Sequence, residues 1–182
     1  MNSQKNNSKK IIALTGLMGS GKTTIGSKLA QKLSYYFTDS DQEIEDQESS
    51  SISDIFLTKG EKYFREIEKK TIKEIIERDE EVVLSLGGGS FMDPQTRELL
   101  LEKATTIWLY APVDTILLRI GNKQSRPLLN STNKINDKRH ILEDLALKRH
   151  PIYEKADYKF DTTNENHEVL IKNIMKTLKL PN

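Results

Sequence analysis

The sequence predicts an α/β domain built on a five-stranded, mostly parallel sheet covered by helices on both faces. Three observations predict it. Short apolar runs of β type alternate with longer stretches whose apolar residues recur at helical spacing. The strongest runs are almost wholly apolar, as in strands buried on both sides. A length of 182 residues allows one full hydrophobic core and leaves little for a second.

The elements follow in order. Ile11–Thr15 reads as a buried strand, and Ile25, Leu29 and Leu33, four apart, mark the helix after it. Tyr35–Thr38 is the second strand. Ser51-Ile52-Ser53-Asp54 resembles a capping box with Asp in place of Glu, and Gly60 is placed to end the helix it opens. Phe64, Ile67, Thr71 and Ile75 give the next helical stretch one apolar face. Val82–Leu86 is the third strand, and Asp93-Pro94 supplies an N-cap followed by proline at the first helical position. Thr105–Tyr110 is the fourth strand, with Trp108 inside it as a packing residue. Ile141, Leu142, Leu145 and Leu147 form the apolar face of a helix that ends at Lys148–Tyr153. Tyr158–Phe160 is a weaker fifth strand, and Leu170, Ile174 and Leu178 mark the last helix. The domain is expected over residues 10–180, after a disordered polar tail at 1–9.

Composition excludes several function classes. Lys and Arg total 28 against 27 Asp and Glu, a formal net charge of +1, so nothing draws the chain as a whole to nucleic acid or an anionic membrane. There is no cysteine, which removes disulfides, Cys-ligated zinc and thiol nucleophiles and fits a reducing compartment. His140, His150 and His167 are scattered without metal-ligand spacing and are expected at the surface or in caps. No apolar run approaches the roughly 18 residues of a membrane span, so a soluble, cytoplasmic protein is expected.

Gly16-Leu17-Met18-Gly19-Ser20-Gly21-Lys22-Thr23 fits GxxxxGK[ST], between a predicted strand and a predicted helix. Its glycines let backbone N–H groups wrap phosphates, and the helix start adds favourable partial charge. Lys22 can bridge the β- and γ-phosphates, and the Thr23 hydroxyl can ligate Mg²⁺. A guanine-reading NKxD is absent: the nearest string, Asn122-Lys123-Gln124-Ser125, lacks the aspartate.

Asp39-Ser40-Asp41 follows the second strand, where the strand ends of a parallel sheet face a ligand crevice. On an extended segment both carboxylates point the same way, one for Mg²⁺ waters and one for an acceptor hydroxyl; the alternative is a solvated Asx turn. Arg65 and Glu68, three apart, can be a surface ion pair. Gly87-Gly88-Gly89 bares backbone N–H groups for a substrate or a γ-phosphate, or is a flexible loop. Arg126 lies in a polar stretch from Gly121 to about Asp137 that reads as an active-site lid, where an arginine can clamp a transferring phosphoryl group. Arg149 complements a helix C-terminus or forks onto a carboxylate.

Together GLMGSGKTTIGSKLA, DSDQEIE, SISDIF with GExxFRxIE, LSLGGG, RPLL and KRHPIYEKAD, in this order and spacing, resemble the shikimate kinase family over about residues 10–180. The resemblance implies a P-loop kinase fold with a lid at about 121–137 and substrate-binding helices at about 40–78. It implies ATP-dependent phosphorylation of the shikimate 3-hydroxyl, with Mg²⁺, in aromatic amino-acid biosynthesis. By it, Gly19, Ser20, Gly21, Lys22, Thr23 and Thr24, with Arg119 beside the adenine and Arg126 on the lid, bind ATP. Thr23, and Asp39 through water, hold Mg²⁺. Asp41 holds the acceptor hydroxyl, Arg65 and Arg149 the shikimate carboxylate, and Gly87, Gly88 and Gly89 touch the substrate; Lys22, Asp41 and Arg126 are the catalytic set. Ile52, Phe56 and Phe64 match positions that wall the substrate pocket. The partners implied are shikimate and ATP, without nucleic acid or membrane, for a monomer. The rivals are a kinase of the same build acting on gluconate or a nucleotide, and a catalytically silent nucleotide-binding relative. An aspartate near its ordinary pKa of ~3.9 is a weak base, so Asp41 is expected chiefly to orient the hydroxyl.

Overall fold

The computed structural model describes residues 9–120, 135–163 and 166–181. Along the chain run β1 (Ile11–Thr15), α1 (Lys22–Leu33), β2 (Tyr36–Asp39), α2 (Ser40–Glu48), α3 (Ile52–Glu77), β3 (Val82–Ser85), a 3-10 turn (Ser90–Met92), α4 (Pro94–Lys103), β4 (Ala104–Tyr110), α5 (Val113–Ile120), α6 (Ile135–Tyr153), β5 (Tyr158–Asp161) and α7 (His167–Leu178). The five strands stand in the order β2-β3-β1-β4-β5, and every pairing is parallel.

Strand alternation divides the core between the two faces. Ile11 and Ala13 of β1, with Val82, Leu84 and Trp108, pack against α3, α4, α5 and α6. Ile12 and Leu14, with Val83, Ile107 and Leu109, pack against α1 and α7. A third, small cluster of Ile44, Ile55 and Phe64 joins α2 to α3 away from the sheet.

The strand order creates the crevice. The connection after β1 leads across β3 to edge strand β2, whereas the connection after β3 leads across β1 to β4. Two neighbouring strands whose chains depart in opposite directions leave an opening at their C-terminal ends.

Helix starts differ in a way that matters there. Side chains cap α2, α3, α4 and α7, from Asp39, Ser51, Asp93 and Asn166 respectively. Gly21 precedes α1 and provides no side-chain cap, so the orphan N–H groups of that helix are left for a ligand. Ser51 caps α3 by accepting from the Asp54 N–H, but Asp54 Oδ2 accepts the Ser51 hydroxyl at 2.6 Å and does not reach back to the backbone. The capping box is therefore half formed. Gly60 interrupts α3 at φ 83°, ψ 167°, a conformation that costs glycine nothing, so the helix restarts there in a new direction.

The apolar face of α6 departs from expectation. Leu147 does not belong to the apolar face of α6: it is 77% exposed, and Ala146 is buried in its place. The helix ends at Tyr153, as expected, running through Pro151 and carrying Tyr153 into the core. Of the stretch read as a lid, the residues from Ile135 onward begin α6, and 121–134, with Arg126, lie outside the described residues. So do residues 1–8 of the polar tail. Among the described residues no helix is long and apolar enough to cross a membrane.

Candidate active site

The site gathers at the C-terminal ends of β1, β2 and β3. Lys22 opens α1 and folds back over the phosphate loop, where its Nζ donates to the carbonyls of Gly16 (2.9 Å) and Leu17 (3.1 Å). The Ser20 hydroxyl is buried inside the loop without a partner among the described residues. A cradle with an uncapped helix start, a cation folded over it and an unsatisfied buried hydroxyl fits a polyphosphate.

The two aspartates are presented by different elements, not by one extended segment. Asp39 closes β2 and caps α2; its Oδ1 accepts from the Asp41 N–H at 3.1 Å, and its Oδ2 accepts the Thr23 hydroxyl at 3.0 Å. A hydroxyl and a carboxylate in contact beside a phosphate cradle are the donor set a hard divalent cation takes, so the residues fit Mg²⁺. Asp41 stands in the first turn of α2 and leans on the glycine turn. A methyl group at Gly87 would lie 2.5 Å from Asp41 Oδ1 and 3.0 Å from Glu68 Oε1, so only glycine admits this approach. Burial, then the charges of Asp39 and Glu68, push the Asp41 carboxyl up to about 6, against the opposing pull of Lys22. The weak base expected from an ordinary aspartate is thus replaced by one whose pKa lies nearer neutrality.

Arg65 and Arg149 both converge on the glycine turn. Arg149 Nη1 donates to the Gly88 carbonyl at 2.8 Å, and a methyl group at Gly89 would sit 2.5 Å from Arg65 Nη1. The Arg65–Glu68 pair is not a surface ion pair. Glu68 is only 4% exposed, accepts from Arg65 Nη1 at 2.8 Å and takes the Ser90 hydroxyl at 2.7 Å. One buried carboxylate thereby ties α3 to the turn after β3. Ser40 adds a second tie, its Oγ accepting the Gly87 N–H at 2.9 Å.

Arg119 lies at the other end of the phosphate loop, donating to Gly19 O (3.3 Å) and to Thr162 Oγ1 (2.9 Å), as well as to the Thr162 carbonyl. It joins the cradle to the end of β5, whose following residues 164 and 165 are outside the described set. Thr24 is exposed on α1. Phe56 and Phe64 stack with centroids 4.7 Å apart, and Ile52 packs against the same cluster.

Sequence reasoning missed Glu68, Ser40, Ser90 and Tyr153 as parts of this site. It also missed His150, which is no surface residue: it lies half-buried 5.1 Å from Trp108 and 5.5 Å from Tyr110, ring to ring, and burial lowers its pKa.

A family model of shikimate kinases matches residues 18–179 of the chain. A shikimate kinase of Zymomonas mobilis subsp. mobilis is 41% identical over 169 residues, 93% of either chain. Among solved structures, a shikimate kinase from Acinetobacter baumannii in complex with shikimate superposes with a TM-score of 0.85 at 34% identity, over 93% of this chain and 92% of that one. The shikimate kinase from Bacteroides thetaiotaomicron does so with a TM-score of 0.88 at 32% identity, over 93% and 98%.

Proposed function

This chain belongs to the shikimate kinase family, and from that premise we propose how its own residues divide the work. The enzyme transfers the γ-phosphoryl group of ATP to the 3-hydroxyl of shikimate, giving shikimate 3-phosphate and ADP. The observation that carries the division of labour is the Asp41 carboxylate pressed on the Gly87 turn, with Lys22 acting on it from the phosphate side and Arg65 and Arg149 on the same turn.

The phosphate loop, Gly19 to Thr24, holds the ATP phosphates. Lys22 leaves the carbonyls of Gly16 and Leu17 to meet them. Thr23, and Asp39 through water, hold Mg²⁺, which when bound neutralises charge on the phosphate oxygens. Arg119 flanks the adenine side, and Arg126, placed by sequence alone, adds positive charge to the transferring group. Arg65 and Arg149 fork onto the shikimate carboxylate and so select an anionic alcohol. Asp41 accepts the hydrogen bond of the 3-hydroxyl. As the new O–P bond forms and the bond to the β-phosphate oxygen breaks, the hydroxyl proton passes to Asp41 and ADP leaves. The transition state is loose, so positioning and charge neutralisation do most of this work. Small molecules are the only partners in this reading, and the chain works as a cytoplasmic monomer.

ADP release should depend on shikimate and be absent with gluconate or nucleoside monophosphates. Shikimate methyl ester, which lacks the carboxylate charge, should be turned over poorly. Equal rates with acid and ester would remove the two arginines from their assignment, and turnover of gluconate in place of shikimate would move the chain to another acceptor.

The raised pKa of Asp41 has a kinetic signature. The competent form is the ionised one, so kcat/KM for shikimate should rise about tenfold per pH unit below pH 6 and level off above it. A profile flat down to pH 4.5 would mean that Asp41 titrates as an ordinary aspartate or takes no part.

A further inference from the structure

Two successive turns of α6 reach one atom of the glycine turn. Arg149 Nη1 donates to the Gly88 carbonyl at 2.8 Å, and the Tyr153 hydroxyl donates to the same oxygen. The two residues are four apart and share a helix face. A carbonyl oxygen offers two lone pairs, so both are engaged from the helix side. Tyr153 is 0% exposed, and its ring lies 6.0 Å from Trp108 and 6.4 Å from His150, centroid to centroid. Its hydroxyl therefore has no water to turn to. Burial raises the pKa of the phenol, which keeps it a donor at neutral pH.

What this grip controls follows from the backbone. Gly87, Gly88 and Gly89 carry no Cβ to restrain the peptides between them, so this segment is the part of the site least able to hold its own shape. The peptide unit is planar and trans; fixing the Gly88 carbonyl toward α6 aims the Gly89 N–H away from α6. Gly89 in turn lies against Arg65, and Gly87 against Asp41. One hydroxyl thus acts on a turn that touches every acceptor-side group.

We propose that Tyr153 is a positioning residue for the acceptor: with Arg149 it clamps the Gly88 carbonyl and sets the glycine turn and the Arg149 guanidinium in the geometry that receives the anionic alcohol. The role rests on the assignment of Arg149 and Gly87–Gly89 to the acceptor. A guanidinium has five N–H donors, and one of them spent on Gly88 leaves the others for a carboxylate. Without the hydroxyl, Arg149 is the remaining donor on that oxygen and must serve both the turn and the substrate.

Tyr153→Phe keeps the ring and its packing and removes only the hydroxyl, so the protein should fold, with a native circular dichroism spectrum. The shikimate KM should rise about tenfold, the size of a buried hydrogen bond lost from the clamp. The ATP KM should stay within about twofold, because the phosphate loop is held by other contacts. In an Arg149→Ala background the same change should add less than about twofold, since both side chains act through one carbonyl. A shikimate KM unchanged in Tyr153→Phe, an equal rise in both KM values, or full additivity with Arg149→Ala would each overturn the proposal and leave Tyr153 a packing residue. Wild-type enzyme in the same series separates the two levels. If it shows no shikimate-dependent turnover, the underlying reading falls and the proposal with it; if it turns over shikimate and Tyr153→Phe matches it, the proposal alone falls.

Discussion

Lys22→Met is expected to lower kcat by a factor on the order of 10³ or more while leaving the fold in place. Met keeps most of the side-chain volume and removes the charge. What the protein loses is transition-state stabilisation, and a thousandfold corresponds to about 4 kcal/mol of barrier. What the fold loses is small. The bonds from Nζ run to the carbonyls of Gly16 and Leu17 at a half-buried position on the crevice rim, where water can replace the ammonium. Circular dichroism and the thermal midpoint should therefore be near native. A variant with near wild-type kcat would refute the role.

Asp41→Asn is expected to abolish most turnover, by a factor on the order of 10² to 10⁴, the usual range for losing a positioned acid–base group. The same change should stabilise the ligand-free protein. The sign follows from linkage. The folded pKa of Asp41 is raised to about 6 from an ordinary value of 3.8, so between those values the native state binds more protons than the unfolded one. Wild-type stability thus falls as pH rises through this window, and above it the full penalty of an ionised carboxylate among Asp39 and Glu68 is present. Asn carries no charge, so the variant should be the more stable form above pH 6, by up to about 3 kcal/mol. It should lose that advantage below pH 4. Thermal midpoints of both proteins at pH 4 and pH 8 would show it. An Asp41→Asn protein less stable than wild type at pH 8 would mean that the carboxylate makes contacts worth more than its burial costs.

The parts of the site that were legible in the sequence are those where the backbone dictates residue type. A phosphate cradle needs glycines at fixed spacing, so Gly16–Thr23 could be read directly, and Asp93-Pro94 announced α4 for the same kind of reason. The five strands were legible as well, within a residue or two at their ends; in the three central ones, β1, β3 and β4, burial on both faces leaves few polar residues inside them.

The misread parts depend on contacts between distant segments. Asp39-Ser40-Asp41 looked extended because it follows a strand. Gln42, three residues after Asp39, is the signal that a helix starts there, with Asp39 as its cap. Glu68 reads as half of an exposed helical pair until Ser90, 22 residues later, is folded over it. Leu147 fits an apolar repeat on paper, but the face of α6 that meets the core runs through Leu142, Ala146 and Tyr153. The raised pKa of Asp41 has the same origin, since it arises first from burial at the glycine turn and then from the charges of Asp39 and Glu68, which stand on other elements.

The central claim is that Asp41, the glycine turn and two arginines present one hydroxyl of shikimate to the γ-phosphate. Phosphorus NMR of the protein incubated with ATP, Mg²⁺ and shikimate tests it most directly, with the new resonance correlated to the ring protons. The account predicts one phosphomonoester, coupled to the proton on C3 and formed in step with ADP. Coupling to the proton on C4 or C5, or inorganic phosphate as the only product, would contradict it.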